Sequence, residues 1–417
     1  MSNKTAAPKL RFPEFQDAPE WEKQPLAIVA NVIAGQSPDG SNYNDKRMGM
    51  PFYQGKTDFG DVYINKPTKW TTQVTKIAES GDILMSVRAP VGALNICTDQ
   101  ICIGRGLAAI QAKQNKWYLY YFLNSIQRFI VGNGGAIFDS INKDQIEKIA
   151  TFIPDIPEQQ KIADCLTSLD DLIAAQSQKV ETLQAYKKGL LQNLFPAEGE
   201  SVPRLRFPEF QSAGGWETKE FSEYIVLYRG SSPRPIQEYL TKSNNGVNWI
   251  KIGDTKNADN YVINQVEEKI TPKGAEKSRK VSSGELILAN SMSFGKTYQL
   301  AIDGYIYDGW FVLREYKEHF YKPFLLQLLN SEYMQNQYIK LSAGGIVLNI
   351  SSDIVYSTIL PHTSLEEQQR IAELLTALDE QISAQGEALA ALKVHKKGLM
   401  QGLFPNQTSE VLETSEV

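Results

Sequence analysis

The sequence predicts an α+β fold made by tandem duplication, each half a β-rich domain followed by a long helix. Three observations carry this. Pro8-Lys9-Leu10-Arg11-Phe12-Pro13-Glu14-Phe15 returns 195 residues later as Pro203-Arg204-Leu205-Arg206-Phe207-Pro208-Glu209-Phe210, and Trp21 returns as Trp216. Residues 158–196 return as 367–405, with 21 of 39 positions identical. That repeated block also carries an apolar seam of period 3.5, the mark of a coiled coil. The middles diverge, leaving weak echoes such as Gly81-Asp82-Ile83-Leu84 against Gly284-Glu285-Leu286-Ile287.

The elements follow in order. Residues 1–157 form the first β-rich domain, 158–196 the first helix, 197–364 the second domain, and 365–405 the second helix. The polar, acidic tail 406–417 is expected to be disordered. Short alternating apolar runs fill 50–112 and 247–314, for example Asn248-Trp249-Ile250-Lys251-Ile252, and read as strands. Amphipathic helices are expected over 116–130 and 321–341.

In the first long helix the seam is Ile162, Leu166, Leu169, Ile173, Val180, Leu183, Leu190 and Leu194, interrupted by Gln176 and Lys187. In the second it is Ile371, Leu375, Leu378, Ile382, Leu389, Leu392, Leu399 and Leu403, interrupted at the matching places by Gln385 and Lys396. Polar residues in a seam cost stability but fix register, so Gln176 and Gln385 are expected to set the register. Pro157 suits a first turn, and Leu-Phe-Pro ends each helix. About 37 residues make a rod of roughly 55 Å.

At 417 residues with 42% hydrophobic and 10% aromatic content, the chain can build several cores. No run approaches the roughly 20 apolar residues of a membrane span, and the N-terminus lacks an apolar leader segment. Three cysteines fit a reducing compartment, so a cytoplasmic protein is expected. The net charge of -5 is unevenly spread. Residues 1–157 hold 17 basic against 15 acidic side chains, and 201–364 hold 18 against 17. The two helical segments, 158–200 and 365–417, hold 4 against 7 and 4 against 9. The large domains are thus free to carry a local basic face.

Catalytic signatures are missing. His319, His362 and His395 are far apart in sequence and none has ligand spacing, so no metal site is expected. Cys97 and Cys102 read as core thiols. Gly295-Lys296-Thr297 resembles the end of a phosphate-binding loop, but Asn290 stands where the leading glycine belongs. Asp308, Glu315 and Lys317 give only thin support for a nuclease.

Two diverged β-rich domains, each closed by the same helix, resemble the specificity subunit of type I restriction–modification systems. The residues that carry the resemblance are Pro157-Glu158-Gln159-Gln160-Lys161-Ile162-Ala163, Glu367-Gln368-Gln369-Arg370-Ile371-Ala372, the Leu-Asp pairs at 169–170 and 378–379, and the Lys-Lys-Gly-Leu-x-Gln-x-Leu-Phe-Pro endings. The resemblance implies that each middle is a target-recognition domain reading half of a split, asymmetric DNA sequence. It also implies that the helices pair antiparallel and set the unread gap. The expected partners are double-stranded DNA, two methyltransferase subunits and restriction/translocase subunits. S-adenosylmethionine, ATP and Mg are expected on those partners, with no cofactor in this chain.

Base reading draws on Arg and Lys for guanine and on Asn and Gln for adenine, from turn-rich segments. The candidates in the first half are Arg47, Lys56, Arg88 and Arg105, from segments 35–47, 54–56 and beyond. In the second half they are Arg234, Lys251, Arg279, Asn290, Lys296 and Tyr298. A loop cation is ordinarily a solvated charge. Gly134-Gly135 and Gly344-Gly345 would let backbone approach DNA, or simply make turns. Lys187, Lys188, Lys396 and Lys397, in the repeated helix ends, are the expected methyltransferase contacts. A coiled-coil scaffold with protein- or glycan-binding β-domains is the competing class, separable by salt-sensitive binding to DNA.

Overall fold

The computed structural model describes residues 5–130, 140–291, 295–342 and 350–405. Both glycine pairs, the centre of the 290–296 loop and the acidic tail lie outside the described residues.

The chain divides into two compact units, residues 1–175 with 389–417, and residues 176–388. These cut across the linear segments, because the two helices, Ile156–Leu194 and Leu365–Leu403, are each shared. Every unit holds the opening part of one helix and the closing part of the other. All the seam positions are buried or half-buried. In the second unit Gln176 faces Gln385 and Lys187 faces Asp379, so one index rises as the other falls and the segments run antiparallel.

The strand plan is the same in both units, although the middles barely resemble each other in sequence. One five-stranded sheet of the first unit runs in the order Tyr43–Asn44, Trp70–Thr71, Met50–Tyr53, Ile101–Ile103, Ile77–Ala78. Its counterpart runs Leu240–Thr241, Glu268–Ile270, Val247–Ile250, Gly304–Ile306, Arg279–Val281. Each has one parallel pair, with Tyr53 opposite Ile103 and Ile250 opposite Ile306. A second sheet orders Ala30–Ala34, Leu107–Ala112, Ile83–Ser86 and Leu94–Ile96. The second unit repeats it with Val226–Arg229, Trp310–Arg314, Leu286–Ala289 and Thr297–Leu300, adding Val262–Ile263 at the edge.

Both amphipathic helices are broken where one continuous element was expected. The first splits into Lys116–Ser125 and Gln127–Ile130, the second into Lys322–Asn330 and Glu332–Ser342. The repeated Leu-Asn-Ser explains the break. Ser125 Oγ donates to the Phe122 carbonyl and Ser331 Oγ to that of Leu328, both at 2.6 Å, competing with the helical ladder.

The helix endings are anchors as well as stops. Phe404 packs on Tyr118 and Phe122 in the first unit, at 5.7 and 5.9 Å between ring centres. Phe195 packs on Trp216 and Phe324 in the second, at 6.3 and 5.5 Å. Both phenylalanines are 2% exposed. Each core thus includes an aromatic ring from the far end of the other half's helix.

Candidate nucleic-acid interface

In the first unit four loops meet at one edge of the sheets. The centre is a tight turn, Gly104-Arg105-Gly106-Leu107, closed by Leu107 N–H donating to the Gly104 carbonyl at 3.0 Å. Gly35 N–H reaches the Leu107 carbonyl and Gln36 N–H that of Ile103, each at 2.9 Å. Val87 N–H binds the Gly106 carbonyl at 2.9 Å, and Arg105 N–H donates to Ser37 Oγ at 3.1 Å. A Cβ on Gly106 would stand 2.2 Å from the Gln54 carbonyl, which places segment 54–56 on the same edge. Arg105, Arg88 and Lys56 are therefore gathered, all exposed. Arg47 lies in a different loop, where its left-handed backbone (φ 60°) carries the guanidinium over the Trp70 ring at 5.7 Å.

The second unit builds the same edge. Its turn is Tyr307-Asp308-Gly309-Trp310, closed at 3.2 Å, with Gly230 N–H on the Trp310 carbonyl and Ser231 N–H on that of Ile306. Arg234 is 82% exposed in its side chain, and its Nη2 stands 3.5 Å from Asp308 Oδ2. Arg279 Nε donates to the Arg229 carbonyl at 3.1 Å, and its guanidinium lies over Tyr228 at 5.5 Å. Ser231, Lys277, Arg279, Lys280 and Arg314 line one open hollow here. Of these, Arg314 is matched by Glu285 at 2.7 Å.

Other expected contacts are engaged in building the fold. Asn290 is only 4% exposed; its Nδ2 donates to the Asp308 carbonyl at 2.9 Å and its N–H to that of Gly309 at 3.0 Å. It secures the turn from beneath and presents no edge to a base. Tyr298 is half-buried with its ring against Tyr261 and Trp310, at 6.0 and 5.8 Å. Lys251 pairs with Glu268 at 2.5 Å. Burial pushes the Lys296 ammonium pKa down. Asp308 is hydrogen-bonded by the Ser232 hydroxyl, Glu315 accepts from Tyr228 Oη at 3.2 Å, and among the described residues no group of three metal-ligating side chains forms.

The four lysines of the helix ends divide into two kinds. Lys187 and Lys396 face inward. Lys187 Nζ bonds Asp379, itself bonded by Gln327 at 2.8 Å, and Lys396 Nζ bonds Asp170, which accepts from Tyr121 Oη at 2.6 Å. A seam lysine needs an anion, and the Leu-Asp pairs supply it, so both ammonium groups are paired within their unit, while each lysine also lines one of two surface hollows. Lys188 and Lys397 are exposed. Each borders a hollow made by equivalent residues. One is lined by Asn124, Ser125, Lys397 and Phe404, the other by Asn330, Ser331, Lys188 and Phe195.

Ser37, Asp39 and Ser232 lie within the candidate segments 35–47 and 231–234, but sequence reasoning did not single them out on these edges. A signal existed: Gly35-x-Ser37-Pro38 recurs as Gly230-x-Ser232-Pro233, at the same 195-residue offset as the opening repeat.

The family model for the type I restriction modification DNA specificity domain matches twice, over residues 19–185 and 214–393. The type I restriction enzyme MjaVIII specificity subunit of Methanocaldococcus jannaschii is 26% identical over 95% of this chain and 93% of its own length. The putative MjaX specificity subunit of the same organism is 41% identical over 43% of each protein, so the chain spans less than half of that relative. The crystal structure of an S subunit from M. genitalium covers 96% of this chain and 100% of its own, at TM-score 0.60 and 15% identity, a likeness of fold. No helix among the described residues is long and apolar enough to cross a membrane.

Proposed function

We propose, for a chain that belongs to the type I restriction–modification DNA specificity family, that its two units each read one part of a split double-stranded DNA target. The observation that carries this is the repeated edge. Both units build one turn-and-loop platform from the same hydrogen bonds, yet furnish it with different charged side chains. Two different readers on one plan imply an asymmetric target. The exposed cations there supply phosphate and base contacts, so binding weakens steeply with salt.

Methylation and cleavage belong to partner subunits in this reading: two methyltransferases using S-adenosylmethionine, and restriction/translocase subunits using ATP and Mg. The methyltransferase contacts are assigned to Lys188 and Lys397 with their equivalent hollows, since a feature present twice suits two copies of one partner. The Lys188–Glu332 pair is exposed, and such a pair is readily given up to a partner.

The test is a chain carrying both Lys188→Glu and Lys397→Glu, co-expressed with the methyltransferase subunit. It should fold normally and fail to co-purify, whereas retained binding would contradict the docking assignment. The wild-type complex should bind duplex DNA with affinity falling several-fold or more as salt rises. Salt-indifferent binding would favour a protein- or glycan-binding scaffold.

A further inference from the structure

The platforms of the two units correspond atom group by atom group. The turns 104–107 and 307–310 are equivalent, and so are the loops 35–39 and 230–234. Arg105 and Asp308 occupy the same second position of the turn. Each donates its N–H to the equivalent serine, Arg105 to Ser37 Oγ at 3.1 Å and Asp308 to Ser232 Oγ at 3.5 Å. The glycine that opens each loop is demanded by close approach: a Cβ at Gly35 would stand 2.2 Å from the Gly104 carbonyl, and at Gly230 1.9 Å from that of Tyr307. The loops then run through a buried proline, Pro38 or Pro233, to an exposed charge. That charge is Asp39 in the first unit and Arg234 in the second.

Two equivalent positions thus carry one acid and one base each, with the signs exchanged. The first unit has Asp39 on the loop and Arg105 on the turn. The second has Arg234 on the loop and Asp308 on the turn. Arg105 sits on a turn bonded from three sides, and Arg234 follows a buried proline and has Asp308 beside its Nη2. A guanidinium held on a rigid element is preorganised for the fork of guanine O6 and N7 in the major groove. An exposed carboxylate next to it holds the fork in orientation.

We propose that Arg105 in the first unit and Arg234 in the second are the guanine-reading residues of their half-sites, with Asp308 a positioning residue for Arg234. The contact comes from the turn in one unit and from the loop in the other, which is one physical source of a target whose halves differ. The proposal rests on the DNA-reading function above and names its determinants.

The chain is co-purified with its methyltransferase subunit, and the wild-type motif is mapped first. Duplexes with every single-base change of that motif are then bound and methylated by Arg105→Ala, Arg234→Ala, Asp308→Asn and the double variant of the last two. Arg105→Ala should lose discrimination at one G·C pair of one half-site by about ten- to hundredfold and leave the other half-site unchanged. Arg234→Ala should do the same in the other half-site, and Asp308→Asn should relax that same pair, with the double variant no worse than Arg234→Ala alone. Uniform weakening across all duplexes, with a shallower salt dependence, would make these arginines phosphate contacts and overturn the proposal. An unchanged motif would overturn it as well. Failure of the wild-type complex to yield any split motif would instead overturn the function on which it rests.

Discussion

Arg206 and Glu367 lie 161 residues apart in sequence and close a two-pronged ion pair, Nε to Oε1 at 2.7 Å and Nη2 to Oε2 at 2.8 Å. Arg11 and Glu158 repeat it in the other unit at 2.7 Å for both prongs, across 147 residues. The arginines come from the repeated Leu-Arg-Phe-Pro and the glutamates from the repeated Glu-Gln-Gln. Each pair therefore clasps the start of a half to the first turn of its long helix. The spare arginine donors are used too, on the carbonyls of Ala18 and Pro19 and of Ala213 and Gly214. Both glutamates are 1% exposed, so removing one partner strands a buried charge. Arg206→Met is expected to cost about 3 kcal/mol or more. Denaturant unfolding of the full chain measures it, and a loss under 1 kcal/mol would show the clasp to be dispensable.

Gln176 Nε2 donates to both Oε1 and the backbone carbonyl of Gln385, at 3.0 and 2.9 Å. Changing Gln176 to leucine leaves the half-buried Gln385 amide without this partner, for about 1–2 kcal/mol, whereas Gln385→Leu leaves Gln176 the backbone carbonyl and should cost less. Changing both should recover most of that loss and relax the register. A double-mutant cycle in denaturant reads the coupling; strictly additive losses would mean the two amides act separately.

Phe404 fills the first core from the end of the second helix. Phe404→Ala should cost about 3–5 kcal/mol through the cavity it leaves beside Tyr118 and Phe122. Phe195→Ala should act likewise in the second unit. Hydrogen exchange separates the two effects: protection should fall first in the core of the unit whose phenylalanine was cut.

His362 stacks on Tyr224 at 5.3 Å and meets the rings of Phe320 and His319 at 5.5 and 6.0 Å. Burial lowers its pKa from the ordinary 6.5, reinforced by His319 and Lys219 and opposed by Glu217 and a backbone contact with His319. The unfolded chain then binds the proton more readily than the folded one. Stability from this group is present above pH 6.5 and is lost as pH falls through the lower folded value. His362→Gln should shrink the fall in melting temperature between pH 7.5 and 5.5. An undiminished fall would assign the acid sensitivity elsewhere.

The duplication, the seam and its interruptions were legible because repetition and a 3.5-residue period are one-dimensional signals. The clasp was not: Arg11 and Glu158 are each visible as repeated residues, but nothing in the sequence says they touch. Asn290 reads as an adenine-binding side chain until its place at a strand exit, beneath Asp308, is known. Lys187 and Lys396 were open to a better reading, since a charge inside a seam must find its opposite and Asp379 and Asp170 stand in repeated pairs. Arg105 and Arg234 could be named as loop cations. Their relation could not, because the two loops and two turns that make each platform are brought together only by the sheets.

The proposed DNA reader has two unlike halves. The most direct test is to co-express the chain with the methyltransferase proposed as its partner, in a host lacking such methylation, and map every modified base in the genome. The expected result is one motif of two different defined half-sites around a fixed unspecified gap. A stable complex that modifies a single continuous site, or two identical half-sites, would contradict it.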